Sequence, residues 1–109
     1  MGSKSLGEFE QMVLLAVLRC GDDAYGTSLR KELQTRTERD VARGAMYVTL
    51  ERLERKGLLL SAMGEPTHER GGKAKRYYRL SPDGLATLRQ SGRDLMSLWQ
   101  GHESILDEA

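Results

Sequence analysis

The side chains able to do chemistry in this chain are mostly cations, and they are gathered. Residues 43–82 hold nine Lys and Arg against four Asp and Glu, a net +5, whereas residues 1–42 carry −1 and residues 83–109 carry −3. The overall charge of +1 therefore hides one contiguous basic block. A local field of that kind attracts a polyanion whatever the total charge. A solvated basic face is the plainer reading, and charge does not separate the two.

The residue types inside the block are more specific. Arg43, Gly44, Tyr47, Val48, Thr49 and Arg52 form one group, and Arg70, Lys73, Lys75 and Arg76 form another. An Arg fork matches guanine O6 and N7, and Val or Thr methyls suit the thymine methyl. A Tyr hydroxyl donates to phosphate, and a glycine at a helix start lets a phosphate reach the backbone N–H groups. Each has a bland counterpart. Arg52 could pair with a local acid, Tyr47 could be partly buried, and Arg55 and Lys56 could simply complement a helix C-terminus.

Catalytic chemistry finds little support. The two histidines, His68 and His102, and the single Cys20 form no metal-ligand spacing. Gly71-Gly72-Lys73 lacks the P-loop spacing and its strand-to-helix setting. Cys20 lies on an apolar helix face and reads as an inert thiol rather than a redox switch. One cysteine forms no intramolecular disulfide, which suits a reducing compartment. No apolar run approaches the roughly 20 residues that span a bilayer, and the N-terminus enters a helical pattern without a secretory signal. The expectation is a cytoplasmic protein that is not an enzyme, with no metal, cofactor or membrane partner.

These residues need elements to hold them. Ser5-Leu6-Gly7-Glu8 reads as a capping box, followed by Phe9, Met12, Val13, Ala16, Val17 and Cys20 at helical spacing, so residues 6–20 are predicted helical. Leu14, Leu15 and Leu18 add apolar surface on other faces, as in a helix that meets a partner. Asp22 and Asp23 cap a second predicted helix near 23–37, with Leu29 and Leu33 inward. A third spans about 43–56, with an apolar seam of Met46, Leu50 and Leu53 and a weak cap at Ala42. Projected at about 100° per residue, the side opposite that seam carries Gly44, Val48, Arg52 and Arg55, with Tyr47 and Thr49 at its margins.

Leu58 to Glu65 and Ala74 to Leu80 read as strands around a turn-rich, basic tip. Strand alternation buries Tyr78 with Leu80 and leaves Tyr77 outside. Ser81-Pro82-Asp83-Gly84 opens a last helix that the pattern extends to about residue 108, roughly 40 Å. Along it Leu85, Leu88, Gly92, Leu95, Trp99, His102 and Leu106 recur at alternating spacings of three and four, a heptad seam suited to a second copy. Gly92 would allow close approach or a kink. The alternative is a helix packed on its own domain.

The order is that of a mainly helical fold with a small β-hairpin, a winged helix-turn-helix at 1–82 with a dimerisation helix at 83–109. In such a fold the second helix of the pair enters the major groove, and the wing reaches phosphates or the neighbouring minor groove. A winged-helix module that binds protein is the competing reading. The basic block argues against it, since a protein-binding wing would more often be apolar.

Gly44-Ala45-Met46-Tyr47, Leu50, Arg52-Leu53-Glu54 and Gly57-Leu58 resemble the recognition-helix signature of the PadR-like transcriptional regulators. Lys75 to Gly84 resembles that family's wing and the start of its dimerisation helix, and Tyr25-Gly26 the start of its second helix. The resemblance spans about residues 6–100 and points to the smaller subfamily with a single C-terminal helix. It implies a homodimer on double-stranded DNA with an inverted-repeat operator, usually repression, and often a small aromatic or lipophilic effector near the dimer interface. Ala42 departs from it, because the family often has Ser or Thr there. On the predicted seam, Trp99 and its mate would face each other across a two-fold axis. With Met96 and His102 they form a candidate aromatic effector site, though a seam Trp is more often plain core.

Overall fold

The computed structural model describes residues 5–65 and 74–108. Its first helix, α1, covers Glu8–Cys20, starting two residues later than the predicted Ser5 box. The carboxylate in position to reach back is Glu10, whose Oε1 accepts the Gly7 N–H at 3.0 Å. Glu8 instead turns outward to Arg39 at 2.8 Å. Gly21, at φ 58°, ends the helix.

Asp22 and Asp23 do not cap the second helix. They belong to a short 3₁₀ turn, Gly21–Asp23, and α2 runs over Gly26–Thr37. Its start is tied by Ser28, whose Oγ accepts the Tyr25 N–H at 3.0 Å and donates to the Asp23 carbonyl. The third helix, α3, is Arg43–Arg55, with Ala42 as its N-cap and no side-chain cap among the described residues. It closes on Gly57 at φ 79°, where the Leu58 N–H returns to the Leu53 carbonyl at 2.9 Å. That positive φ is what glycine supplies at a helix end.

Strands β1, Leu59–Met63, and β2, Arg76–Leu80, pair antiparallel from Leu59 opposite Leu80 to Met63 opposite Arg76. The segment before α2 adds to the sheet's other edge. The Tyr78 N–H donates to the Ala24 carbonyl at 2.8 Å, and Tyr25 bridges Tyr77. Tyr78 is buried as expected. Tyr77 is half-buried rather than outside, because its ring meets Tyr25 edge to face with centroids 5.7 Å apart.

The core gathers Val13, Leu14 and Val17 of α1, Leu29 and Leu33 of α2, the Met46, Leu50 and Leu53 seam of α3, Leu58 and Leu59 at the strand entry, and Leu88. Leu88 belongs to α4, Pro82–Trp99. Ser81 caps α4, accepting the Gly84 N–H at 2.9 Å while donating to the Gly57 carbonyl at 2.6 Å. A Cβ on Gly84 would stand 2.0 Å from the Leu58 carbonyl oxygen, so glycine is what lets α4 dock on the start of β1.

The last helix is shorter than the heptad pattern suggests. It stops at Trp99, Gly101 takes φ 90°, and the His102 N–H folds back to the Trp99 carbonyl at 2.7 Å. A 3₁₀ turn, Glu103–Asp107, follows. Eighteen residues give roughly 27 Å, and His102 and Leu106 leave the seam because the helix that would carry them has ended. Gly92 sits inside α4 without ending it, and a Cβ there would meet nothing within 4 Å among the described residues.

Candidate nucleic-acid interface

Helix α3 turns Met46, Thr49, Leu50 and Leu53 into the core. Thr49 is only 4% exposed, so it faces its own domain and not a ligand at the margin of the outer face. The opposite side presents Gly44, Tyr47, Val48, Glu51 and Arg55, all exposed. The Tyr47 hydroxyl lies beside the start of α2, where a Cβ on Gly26 would approach it to 2.9 Å. The beginning of α3 is open. Arg43 and Gly44 are exposed, and a Cβ on Gly44 would meet nothing within 4 Å among the described residues.

Arg52 lies on the flank toward α1, and its guanidinium is 3.8 Å from Glu10 Oε2. Lys56 holds the same oxygen at 2.9 Å. Glu10 is 7% exposed and 46 positions from Lys56 in the chain, which is why no local spacing pointed to it. Burial pushes the Glu10 carboxyl up. The Lys56 hydrogen bond, the Gly7 amide and the charges of Lys56 and Arg52 outweigh that and hold it below its ordinary 4.5. Arg52 therefore has an acid near it in the free protein, supplied by α1 and not by its own helix, while half of its side chain stays in water.

The hairpin borders the same side. One open groove is lined by Tyr25, Gly26, Thr27, Tyr47, Lys75 and Arg76, and a second by Tyr47, Val48, Glu51, Glu54, Arg76 and Tyr78. The Lys75 ammonium sits 4.1 Å above the Tyr25 ring centroid, a contact that restrains a flexible side chain. Arg76 donates to Ser61 Oγ at 3.0 Å, and Ser61 donates to Glu54 at 2.6 Å. The wing root is thereby fastened to the end of α3. Arg70 and Lys73, named with Lys75 and Arg76 as wing cations, lie outside the described residues. Glu10 and Glu51 were missed in the sequence, and Tyr25 was read there only as part of a helix start. Of these, Glu51 was within reach of the projection that found Val48.

The predicted dimer seam divides. Leu88, 5% exposed, is committed to its own core, while Leu85 and Leu95 remain exposed and Gly92 and Trp99 half-buried. Met96 and Leu98 are more open still, at 69% and 77%. With Leu15 and Leu18 of α1, which packs on α4, they leave exposed apolar side chains on both helices. Trp99 ends α4 and His102 follows past the Gly101 turn, both near the exposed Met96 in the chain. Burial raises the Cys20 thiol above its ordinary range. Among the described residues no group of His, Cys, Asp and Glu is set to hold a metal, and no helix is long and apolar enough to cross a membrane.

A family model described as the transcriptional regulator PadR-like family matches residues 14–90. The chain is 38% identical over 77 residues to Transcriptional regulator Rv3488 of Mycobacterium tuberculosis, covering 71% of this chain and 67% of that protein. It is similar in fold to a PadR-like transcriptional regulator from Bacillus cereus, with a TM-score of 0.72, 19% identity and 93% of each chain covered. It is also similar to a PadR family transcriptional regulator from Eggerthella lenta, with a TM-score of 0.66, 28% identity, and 94% and 88% of the two chains covered.

Proposed function

The chain belongs to the PadR-like family of transcriptional regulators, and from that premise we propose that it binds an inverted-repeat operator on double-stranded DNA as a homodimer and represses from it. The observation that carries the reading is the open start of α3 beside the wing root. Uncapped helix N–H groups, exposed Arg43 and Gly44, and nearby Tyr47, Lys75 and Arg76 form a surface matched to phosphates flanking a groove. Val48 then faces the bases. Arg52, on the flank, serves the backbone when it leaves Glu10. The second copy covers Leu15, Leu18, Leu85, Leu95, Met96 and Leu98.

Fluorescence anisotropy with a random-sequence duplex across a salt series tests the reading. Affinity should fall linearly with the logarithm of salt, and Lys75→Ala or Arg76→Ala should make that slope shallower by about one. Absence of DNA binding even at low salt would favour a winged-helix module that binds protein.

An effector site at Trp99, with Met96 and His102, is part of the proposal. A planar aromatic or lipophilic molecule held between two copies would change the spacing of the DNA-reading heads and so the operator affinity. Its test is Trp99 fluorescence during titration with planar aromatic dyes. Saturable quenching that weakens DNA binding supports the site. No quenching, with Trp99→Leu merely less stable, leaves Trp99 a packing residue at the end of α4.

A further inference from the structure

Among the described residues, two carboxylates on or beside α3 are committed. Glu10 holds Gly7, Lys56 and Arg52, and Glu54 accepts the Ser61 hydroxyl at 2.6 Å. Glu51 is different. It is exposed on the outer face of α3 beside Val48, opens on the groove toward Arg76 and Tyr78, and has Arg55 at 3.5 Å on the same helix. An exposed pair of that kind adds little to stability. On a face brought toward phosphates a carboxylate is repelled, unless a base edge donates to it.

Resting on the DNA reading proposed above, we infer that Glu51 reads cytosine in the major groove, accepting its N4 amino hydrogens, with Arg55 on the guanine of the same pair. The major-groove edge of a G·C pair presents two guanine acceptors, N7 and O6, and then the cytosine donor. A guanidinium and a carboxylate 3.5 Å apart offer the complementary order, donors and then an acceptor. Adenine also carries an amino group there. Its neighbours, N7 on one side and thymine O4 on the other, are both acceptors and would face the second carboxylate oxygen. The cytosine amino group has a C–H on one side, and the guanine O6 on its other side is the acceptor that Arg55 takes.

Selection from a random duplex pool, run in parallel on the wild-type chain and Glu51→Ala, tests this. The wild type should enrich a site with one fixed C·G pair preferred about tenfold or more in each half. Glu51→Ala should reduce that preference below about threefold while leaving the other positions of the site unchanged. Glu51→Gln should move the preference toward adenine, which pairs with a carboxamide through N6 and N7. Glu51 is exposed, and equal thermal melts of the three chains establish that all are folded. Undiminished cytosine preference in Glu51→Ala overturns the inference, as does a uniform rise in affinity for every sequence, which would make Glu51 a solvated partner of Arg55. Failure of the wild type to enrich any sequence removes the DNA reading itself, and this inference with it.

Discussion

Helices α3 and α4 both carry a glycine within their first turn, and the two starts are built for opposite purposes. Gly84 of α4 lies against the Leu58 carbonyl, beneath a serine cap whose hydroxyl both accepts and donates. Gly44 of α3 faces open space, behind an alanine that caps nothing. A serine cap that takes the Gly84 N–H at one start makes a joint within the domain. Orphan groups left exposed at the other make a surface for an anion. The outward faces differ in the same way. That of α3 is mixed and charged, whereas the later part of α4 exposes Leu95, Met96 and Leu98. One face is well solvated in the free chain, and the other holds apolar side chains in water at a cost.

Alanine at the two glycines should separate these roles most strongly. Gly84→Ala forces α4 off β1 and should lower stability by about 1–3 kcal/mol, the range of overpacked sites, seen as a fall in melting temperature. Gly44→Ala, on an open helix position, should raise stability by up to ~1 kcal/mol yet weaken DNA binding, because the added methyl stands where a phosphate approaches. Equal melts for the two variants would erase the distinction.

The apolar face comes next. Leu95→Glu should leave the head folded and raise the dimer dissociation constant about a hundredfold or more, since an unpaired carboxylate in an apolar contact costs ~3–5 kcal/mol. Sedimentation showing an intact dimer would take Leu95 out of the interface. Leu88→Glu is a different experiment, because Leu88 is in the core and its loss unfolds the monomer.

Arg52→Ala is expected to act more gently. Its place beside Glu10 predicts weaker binding to all sequences alike, with the salt slope shallower by about one. Loss of discrimination at a single base pair would instead return Arg52 to the base edges. The smallest effect is that of pH. The Glu10 carboxyl titrates below its ordinary 4.5 in the folded chain. The stability it contributes is therefore present above that value and is lost as pH falls through the lower, folded one. Melting temperature measured between pH 3 and 7 should drop on the acid side, and Glu10→Gln should flatten that drop.

What could be read in the sequence follows the range of the physics. The Met46, Leu50 and Leu53 seam, buried Tyr78 and the Ser81-Pro82 helix start are set by neighbours within a few residues, and each was legible as periodicity or capping. The stop of α4 at Trp99 was hidden because the heptad spacing continues past it, through the positive φ at Gly101. Thr49 faces inward because the buried arc of α3 is wider than its three-residue seam. The Glu10–Lys56 pair joins helices far apart in the chain, and the Lys75–Tyr25 contact depends on a strand edge that only the folded sheet creates. The candidate interface was thus found as a set of residue types on one helix and one hairpin. Which of its cations are already occupied was not.

The central claim is that one charged face reads DNA while one apolar face pairs two such readers. Footprinting of the wild-type chain on its selected site, with the stoichiometry of the same complex, tests both at once. Two protected half-sites with centres ~34–36 Å apart and two chains per duplex are expected. One protected half-site carrying a single chain would contradict it.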